Sequence, residues 1–355
     1  MRPRLRGDLG SLSAYLAPQI EAPIRLNTNE SAHPLPPAFA DDLAAAVRGI
    51  EFHRYPDREA KDLRAALAAH TGHSAEGIWV ANGSNEVIQQ LCLAYAGPGR
   101  KVLLFDPTYS MHSLIPRMVG AELAREPLPP GFWLETEGAV DAVERHDPAI
   151  VFVCSPNNPT GNAQSLEVVD ALCGAAPLVL VDEAYIEFGG ETAQPLLERH
   201  ENLVVVRTFS KAFSLAAARL GYCLCAPALL EDLARVRLPY HLSSLTQAAG
   251  LAALRHLGEA EAILTTIAAR RDRLFERLDR MPGVQPSRSQ ANFVLFRTDV
   301  EARALWEALL RRGILVRDVS NYPMLERCLR VTAGTDEEID AFIEALPDCF
   351  EEVVP

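Results

Sequence analysis

Val206-Arg207-Thr208-Phe209-Ser210-Lys211-Ala212-Phe213-Ser214, followed by Arg219-Leu220-Gly221-Tyr222, is the stretch of this chain best suited to covalent chemistry. The apolar run before it predicts a strand ending at Ser210-Lys211. A side chain at the carboxyl end of such a strand projects toward the ligand crevice of an α/β sheet. A lysine amine condenses with an aldehyde only when neutral, and a desolvated or electropositive setting favours that form. Arg219, eight residues on, adds positive charge and a guanidinium able to grip a phosphate through two parallel hydrogen bonds. Alone, a lysine after a strand is more often a solvated rim residue. The combination Ser-Lys, seven residues, Arg-Leu-Gly-Tyr is far more specific. Lysine occurs only at Lys61, Lys101 and Lys211, so few amines compete for the role.

Other candidates surround it. Asp182-Glu183-Ala184-Tyr185 follows an apolar run at 178–181; an aspartate there can simply cap a helix, but the 29-residue gap to Lys211 fits two successive strand ends. Ser155-Pro156-Asn157-Asn158-Pro159-Thr160-Gly161 reads by itself as a strong turn. Gly83-Ser84-Asn85-Glu86 lies between a strand and a helix, where free backbone N–H groups make an anion site, although helix caps of this kind are common. Tyr109 reads on its own as a packed core tyrosine, and Arg330 at a strand end as a surface residue. The nine histidines show no zinc-ligand spacing, so no metal site is expected.

The elements that must hold these residues follow from periodicity. The first forty residues are rich in Pro and Asn and irregular. Residues 41–48 and 57–70 have helical spacing. Short apolar runs then recur at 78–81, 102–105, 150–154, 178–181, 203–206 and 220–225, separated by helical segments. That alternation predicts an α/β fold with a mostly parallel, mixed sheet covered on both faces. Beyond Pro239 the pattern becomes one long helix over about 246–280, then strands near 292–296, 314–316 and 328–332 with a helix over 300–312. The expected organisation is an N-terminal arm (1–40) packing on the small domain and the active site, a large domain (41–245) and a smaller α/β domain (246–355).

Composition sets limits. A net charge of −13 argues against nucleic acid as a partner. The seven cysteines do not form a disulfide framework in a chain of 355 residues and read as buried thiols of a reducing cytosol; Cys223 and Cys225 share one strand face. No apolar run approaches the roughly 20 residues that span a bilayer, and the basic N-terminus has no apolar stretch behind it. A cytoplasmic protein without membrane partners is expected.

Ser210-Lys211 through Tyr222 resembles the lysine motif of fold-type I aminotransferases that use pyridoxal phosphate (PLP). The order of motifs from about residue 26 to 335 resembles the histidinol-phosphate aminotransferase family in particular. The resemblance implies PLP held covalently on Lys211, with Asp182 at the pyridine nitrogen, Tyr185 and Asn158 at the ring hydroxyl and Tyr109 stacked on the ring. The cofactor phosphate falls to Ser84, Asn85, Ser210 and Arg219. Tyr55, in Arg54-Tyr55-Pro56-Asp57, matches a residue that reaches the neighbouring subunit's cofactor phosphate, which implies a homodimer with shared active sites. Arg330, in Leu329-Arg330-Val331-Thr332, and Arg317 match the arginines that take a substrate carboxylate or phosphate. Leu26-Asn27-Thr28-Asn29-Glu30 resembles the family loop over the site, but Ser31-Ala32-His33-Pro34 departs from its Asn-Pro-aromatic-Gly. Ser214 and Ala217 replace common glycines, and Asn85 stands where aspartate is frequent. The implied reaction is transamination between L-histidinol phosphate and 2-oxoglutarate in histidine biosynthesis, with small-molecule partners only: a phosphorylated amine and a keto acid. An aromatic amino-acid aminotransferase and a threonine-phosphate decarboxylase share the scaffold. A non-catalytic regulator of the same fold would be expected to lose Lys211 or to gain a DNA-binding extension.

Overall fold

A computed structural model describes residues 3–10, 12 and 20–353. Strand β1 (Ile24–Arg25) precedes helices α1 (Pro37–Arg48) and α2 (Lys61–Thr71). Strands and helices then alternate: β2 (Ile78–Ala81), α3 (Ser84–Tyr95), β3 (Lys101–Asp106), α4 (Ser110–Met118), β4 (Glu122–Pro127), α5 (Thr136–His146), β5 (Ile150–Cys154) and α6 (Leu166–Ala175). β6 (Val179–Asp182), β7 (Leu203–Thr208) and β8 (Gly221–Cys225) complete this region before α7 (Pro227–Val236), α8 (Ser244–Arg255) and α9 (Leu257–Asp279). The rest comprises β9 (Val284–Pro286), β10 (Phe293–Thr298), α10 (Ala302–Arg311), β11 (Ile314–Leu315), β12 (Arg317–Asp318), β13 (Cys328–Thr332) and α11 (Asp336–Val353).

Seven strands form one sheet in the order β2-β8-β7-β6-β5-β3-β4. The run from β4 to β7 is parallel, whereas β8 pairs antiparallel with both β7 and β2. The mixed, mostly parallel sheet expected from the apolar runs is therefore present. Every residue of β5 to β8 is buried, because helices cover both faces. Side chains alternate: Val151, Val153, Val179 and Val181 feed one core, Ile150, Phe152, Leu178 and Leu180 the other. Cys223 and Cys225 lie together in the second of these, and all seven cysteines are buried and free. Strand β4 escaped the periodicity reading because it is an edge strand. Glu122, Arg125 and Glu126 keep its outer side unattractive to further strands, at the expense of an apolar signature.

A second layer contains the antiparallel sheet β12-β13-β10-β9, with a core that includes Leu274, Phe296, Trp306 and Phe342. The N-terminal segment reaches it: β1 pairs parallel with β11, and Leu26 belongs to this core. The single helix expected over 246–280 is two helices, broken at His256 (φ −112°, ψ 32°). His256 is tied down: its ring stacks on Phe39 and its Nε2 lies 3.2 Å from Asp42 Oδ2, both on α1. Helix α8 gives Ala249, Ala252 and Ala253 to the first core, while α9 turns away to give Leu274 and Leu278 to the second. Among the described residues no helix is long and apolar enough to cross a membrane.

Candidate active site

The carboxyl ends of β3, β5, β6 and β7 open on a cavity of about 590 Å³, roofed by the N-terminal strap 27–30 and flanked by Arg317, Tyr322 and Arg330. This is the place where an open parallel sheet binds ligands. Lys211, Asp182, Tyr185, Asn158, Tyr109, Ser84, Asn85, Ser210, Arg219, Arg317 and Arg330 all line it. Twelve residues were singled out as candidates, and only Tyr55 lies elsewhere. It is 80% exposed and stacks on Tyr240 at 4.5 Å between ring centres.

Strand β7 ends at Thr208, but Phe209 N still donates to Leu220 O, so the turn carrying Lys211 is pinned to its start. Lys211 Nζ donates to the Thr28 carbonyl at 2.8 Å. Burial, then the neighbouring charge of Arg330 and, more weakly, of Arg219, brings its pKa from 10.5 down to about 8, with Glu30 opposing. A substantial neutral fraction near neutral pH is what an amine needs to attack a carbonyl. Ser214, four residues before the 3₁₀ turn's end at Ala218, sits at φ +54°, and Arg219 at φ +53°. The serine found where glycine is common therefore leaves backbone strain in the loop that carries the lysine.

Asp182 ends β6 and is 2% exposed. Its Oδ2 lies 2.9 Å from His112 Nε2, and its Oδ1 accepts from the Ala184 N–H at 3.1 Å. A carboxylate only accepts, so His112 donates through Nε2, leaving Nδ1 to accept from Thr108 Oγ1 at 3.2 Å. His112 is fully buried on α4, edge-on to Tyr109 and Phe152. Metal-ligand spacing does not reveal His112 in the sequence; its place three residues after Tyr109, at a helix start, is the available signal. Cys154 also approaches: ligand atoms of His112, Cys154 and Asp182 lie within 4.8 Å of one another. Burial, reinforced by Asp182, pushes the Cys154 thiol well above its usual range.

Tyr185 and Asn158 face the cavity from the ends of β6 and β5. Burial raises the Tyr185 phenol to about 12, which keeps its proton in place at any physiological pH. Asn158 Oδ1 accepts from Arg330 NH1 at 2.6 Å, and Arg330 NH2 donates to Asn27 O at 2.6 Å. Arg330 also lies over the Phe293 ring, 5.1 Å from its centre. Strand pairing sets Arg317 directly opposite Arg330.

The remaining wall is built for a phosphate. Helix α3 starts at Ser84 behind Gly83 (φ +82°), and the first N–H groups of a helix have no partner within it. Arg219 lies against this turn, its NH1 donating to Ser210 Oγ at 3.4 Å and to Ala216 O at 3.0 Å. Two glycines permit the approach. A Cβ at Gly83 would lie 2.7 Å from Arg219 NH2, and one at Gly221 would collide with the Ser84 backbone nitrogen. Asn85 Nδ2 donates to Tyr109 Oη at 3.4 Å, while Asn85 Oδ1 is buried without a partner, a cost of about 1–3 kcal/mol that a ligand donor would remove.

Comparison with known proteins agrees with this geometry. The model of the family "Aminotransferase class I and II" matches residues 21–346. The histidinol-phosphate aminotransferase of Frankia casuarinae is 47% identical, over 96% of this chain and 89% of its own. The chain belongs to the histidinol-phosphate aminotransferase family. The family member from Thermobifida fusca is 45% identical, over 96% of this chain and 94% of its own. The solved histidinol-phosphate aminotransferase from Sinorhizobium meliloti, in complex with pyridoxal-5'-phosphate, superposes with a TM-score of 0.91 at 28% identity, covering 100% of this chain and 99% of that one. For a family member the residues present fit a phosphorylated aldehyde. The cavity holds a buried amine of lowered pKa, a helix N-terminus with an arginine beside it, a buried carboxylate and an orphaned acceptor.

Proposed function

We propose that this chain is a PLP-dependent transaminase that exchanges the amine of L-histidinol phosphate with 2-oxoglutarate, giving imidazole acetol phosphate and L-glutamate in histidine biosynthesis. One observation carries the phosphorylated substrate: Arg317 and Arg330 face each other across β12 and β13 at the rim of the cavity that holds Lys211. Arg330 donates to Asn158 Oδ1 and to Asn27 O, and among the described residues no side-chain hydrogen bond or ion pair engages Arg317. Two guanidiniums suit a phosphate dianion in one half-reaction and a carboxylate in the other.

When bound, PLP supplies an aldehyde and an electron-accepting ring. The protein supplies the rest. Lys211 Nζ takes the proton from the substrate Cα and returns it on the far side of the shift, acting as base and then acid. Asp182, held by His112 and the Ala184 N–H, keeps a proton at the pyridine nitrogen. Tyr185 and Asn158 serve the ring hydroxyl, Tyr109 the ring face. The α3 N-terminus, with Ser84 and Asn85, Ser210 and Arg219, anchors the phosphate, so the ring is fixed while Lys211 moves.

The deciding experiment is half-reaction kinetics. PLP-loaded protein should lose its visible band with L-histidinol phosphate at a kcat/KM roughly 100-fold or more above that for phenylalanine or tyrosine, as expected when a pair of arginines, one buried and one half-buried, meets the phosphate of one substrate and not the ring of the other. Release of carbon dioxide from phosphothreonine, without loss of the band, would replace this reading with the decarboxylase.

Assembly as a homodimer is part of the proposal. Tyr55 and Tyr240 stack on the surface, Phe52, Leu238 and Leu245 are likewise exposed, and Arg237 and Gln247 brace the two loops by bonds to Glu59 and the Asp57 carbonyl. Exposed apolar side chains of this kind suit a second copy that receives Tyr55. Tyr55→Phe and Lys211→Ala proteins, each weak or inactive alone, should recover roughly a quarter of wild-type activity after mixing and subunit exchange, because half the dimers then hold one native site. A fully active monomer by sedimentation would refute the shared site.

A further inference from the structure

We infer that Asn29, on the strap over the cavity, is a positioning residue that sets the direction in which the Tyr185 hydroxyl gives its proton. The inference rests on the proposed PLP site and concerns a contact beyond it.

Asn29 is 1% exposed and holds φ +55°, a left-handed conformation that asparagine tolerates better than most residues. One orientation of its amide gives the proton of the buried Thr332 hydroxyl an acceptor. The Asn29 backbone N–H donates to Thr332 Oγ1 at 3.1 Å, and the Thr332 hydroxyl proton goes to Asn29 Oδ1, also at 3.1 Å. That fixes Oδ1 toward Thr332 and turns Nδ2 to Tyr185 Oη, at 2.9 Å. The strap itself cannot drift, because Asn292 Nδ2 donates to Asn29 O at 3.1 Å. The Tyr185 ring is wedged edge-on against Phe293, with centres 5.3 Å apart.

A phenol carries one proton, and an NH₂ group only donates. With Asn29 filling an acceptor position on Oη, the phenolic proton must point away from the strap, and the cavity is the open direction. Burial holds that proton on the oxygen. Tyr185 is thereby an obligatory donor to an anionic or phenolic oxygen on the ligand, and Asn29 decides this through the tyrosine hydroxyl.

The test reverses the direction. Asn29→Asp replaces the NH₂ donor with an oxygen that only accepts, so the Tyr185 proton turns back to the strap. The readout is the pH titration of the visible band of lysine-bound PLP. Without the tyrosine's donation the ring oxygen is more basic and holds the proton it shares with the lysine nitrogen to higher pH. Tyr185→Phe should raise the midpoint by on the order of one pH unit. Asn29→Asp should raise it nearly as far, and should add nothing in the Tyr185→Phe background. Asn29→Ala, which frees the hydroxyl to point either way, should fall between wild type and Tyr185→Phe, and it supplies the same cycle if the Asp variant does not fold. A midpoint unchanged in the Asn29 variants, or equal shifts with and without the tyrosine hydroxyl, overturns the inference while the PLP assignment stands. A wild-type chain that forms no visible band overturns both.

Discussion

Lys211→Ala protein will lack the visible band after incubation with PLP and will lose transamination by roughly 10⁴-fold or more, since one residue is both the covalent anchor and the proton carrier. The expected residue-level signature is sharper than inactivity. PLP should still bind, reversibly, because the α3 N-terminus and Arg219 are untouched. Dialysis should then strip it from the variant and not from the wild type. The pH dependence has a definite sign. Burial and the arginines lower the pKa of Lys211 from 10.5 to about 8, so the reactive neutral amine grows as pH rises and is nearly complete above about 9. Cofactor uptake by the unloaded wild-type chain should accelerate with pH through about 8 and then level off, followed by stopped-flow absorbance. Removing Glu30, whose charge holds the ammonium form, should move that rise to lower pH. An uptake rate flat between pH 6 and 9 would contradict the assignment.

Asp182→Asn should keep its colour and lose kcat by about 10²–10³-fold, the usual cost of removing one preorganised electrostatic partner. Asparagine preserves the shape of the side chain, including an oxygen for the Ala184 N–H. It cannot balance a charge on a ring nitrogen. The KM for both substrates should change little, because the arginines proposed to bind them lie on the other sheet. His112→Ala should cost less, about 10–100-fold, as a group acting through another residue does. If it costs as much as Asp182→Asn, the histidine contacts the cofactor and the geometry has been misread.

Much of this site was legible because its residues stand where regular elements stop. Asn158, Asp182 and Lys211 each follow a short apolar run, and chain order along the parallel strands β5, β6 and β7 puts such ends side by side. The strands themselves were found where burial on both faces removes polar residues, as in β5 and β8. Strand β4 went unseen for the opposite reason, since an edge must look polar. The break at His256 depends on a bond to Asp42 and a stack on Phe39, more than two hundred residues away, and local periodicity carries no trace of either. His112 and Asn29 were hidden for a similar reason. Their roles consist of hydrogen bonds to residues distant in the chain, Asp182 and Tyr185, that exist only once the sheets have formed.

The strap's three successive carbonyls, at Asn27, Thr28 and Asn29, are claimed by Arg330, Lys211 and Asn292. On the ribosome this means that an earlier-made segment waits for later-made ones. Residues 27–29 emerge early, yet Asn292 and Arg330 are not available to hold them until most of the chain has been synthesised. A nascent chain that stops short of Asn292 lacks two of the three groups that hold the strap over the amine. Synthesis of the β10–β13 region therefore doubles as the event that fastens the roof of the cavity.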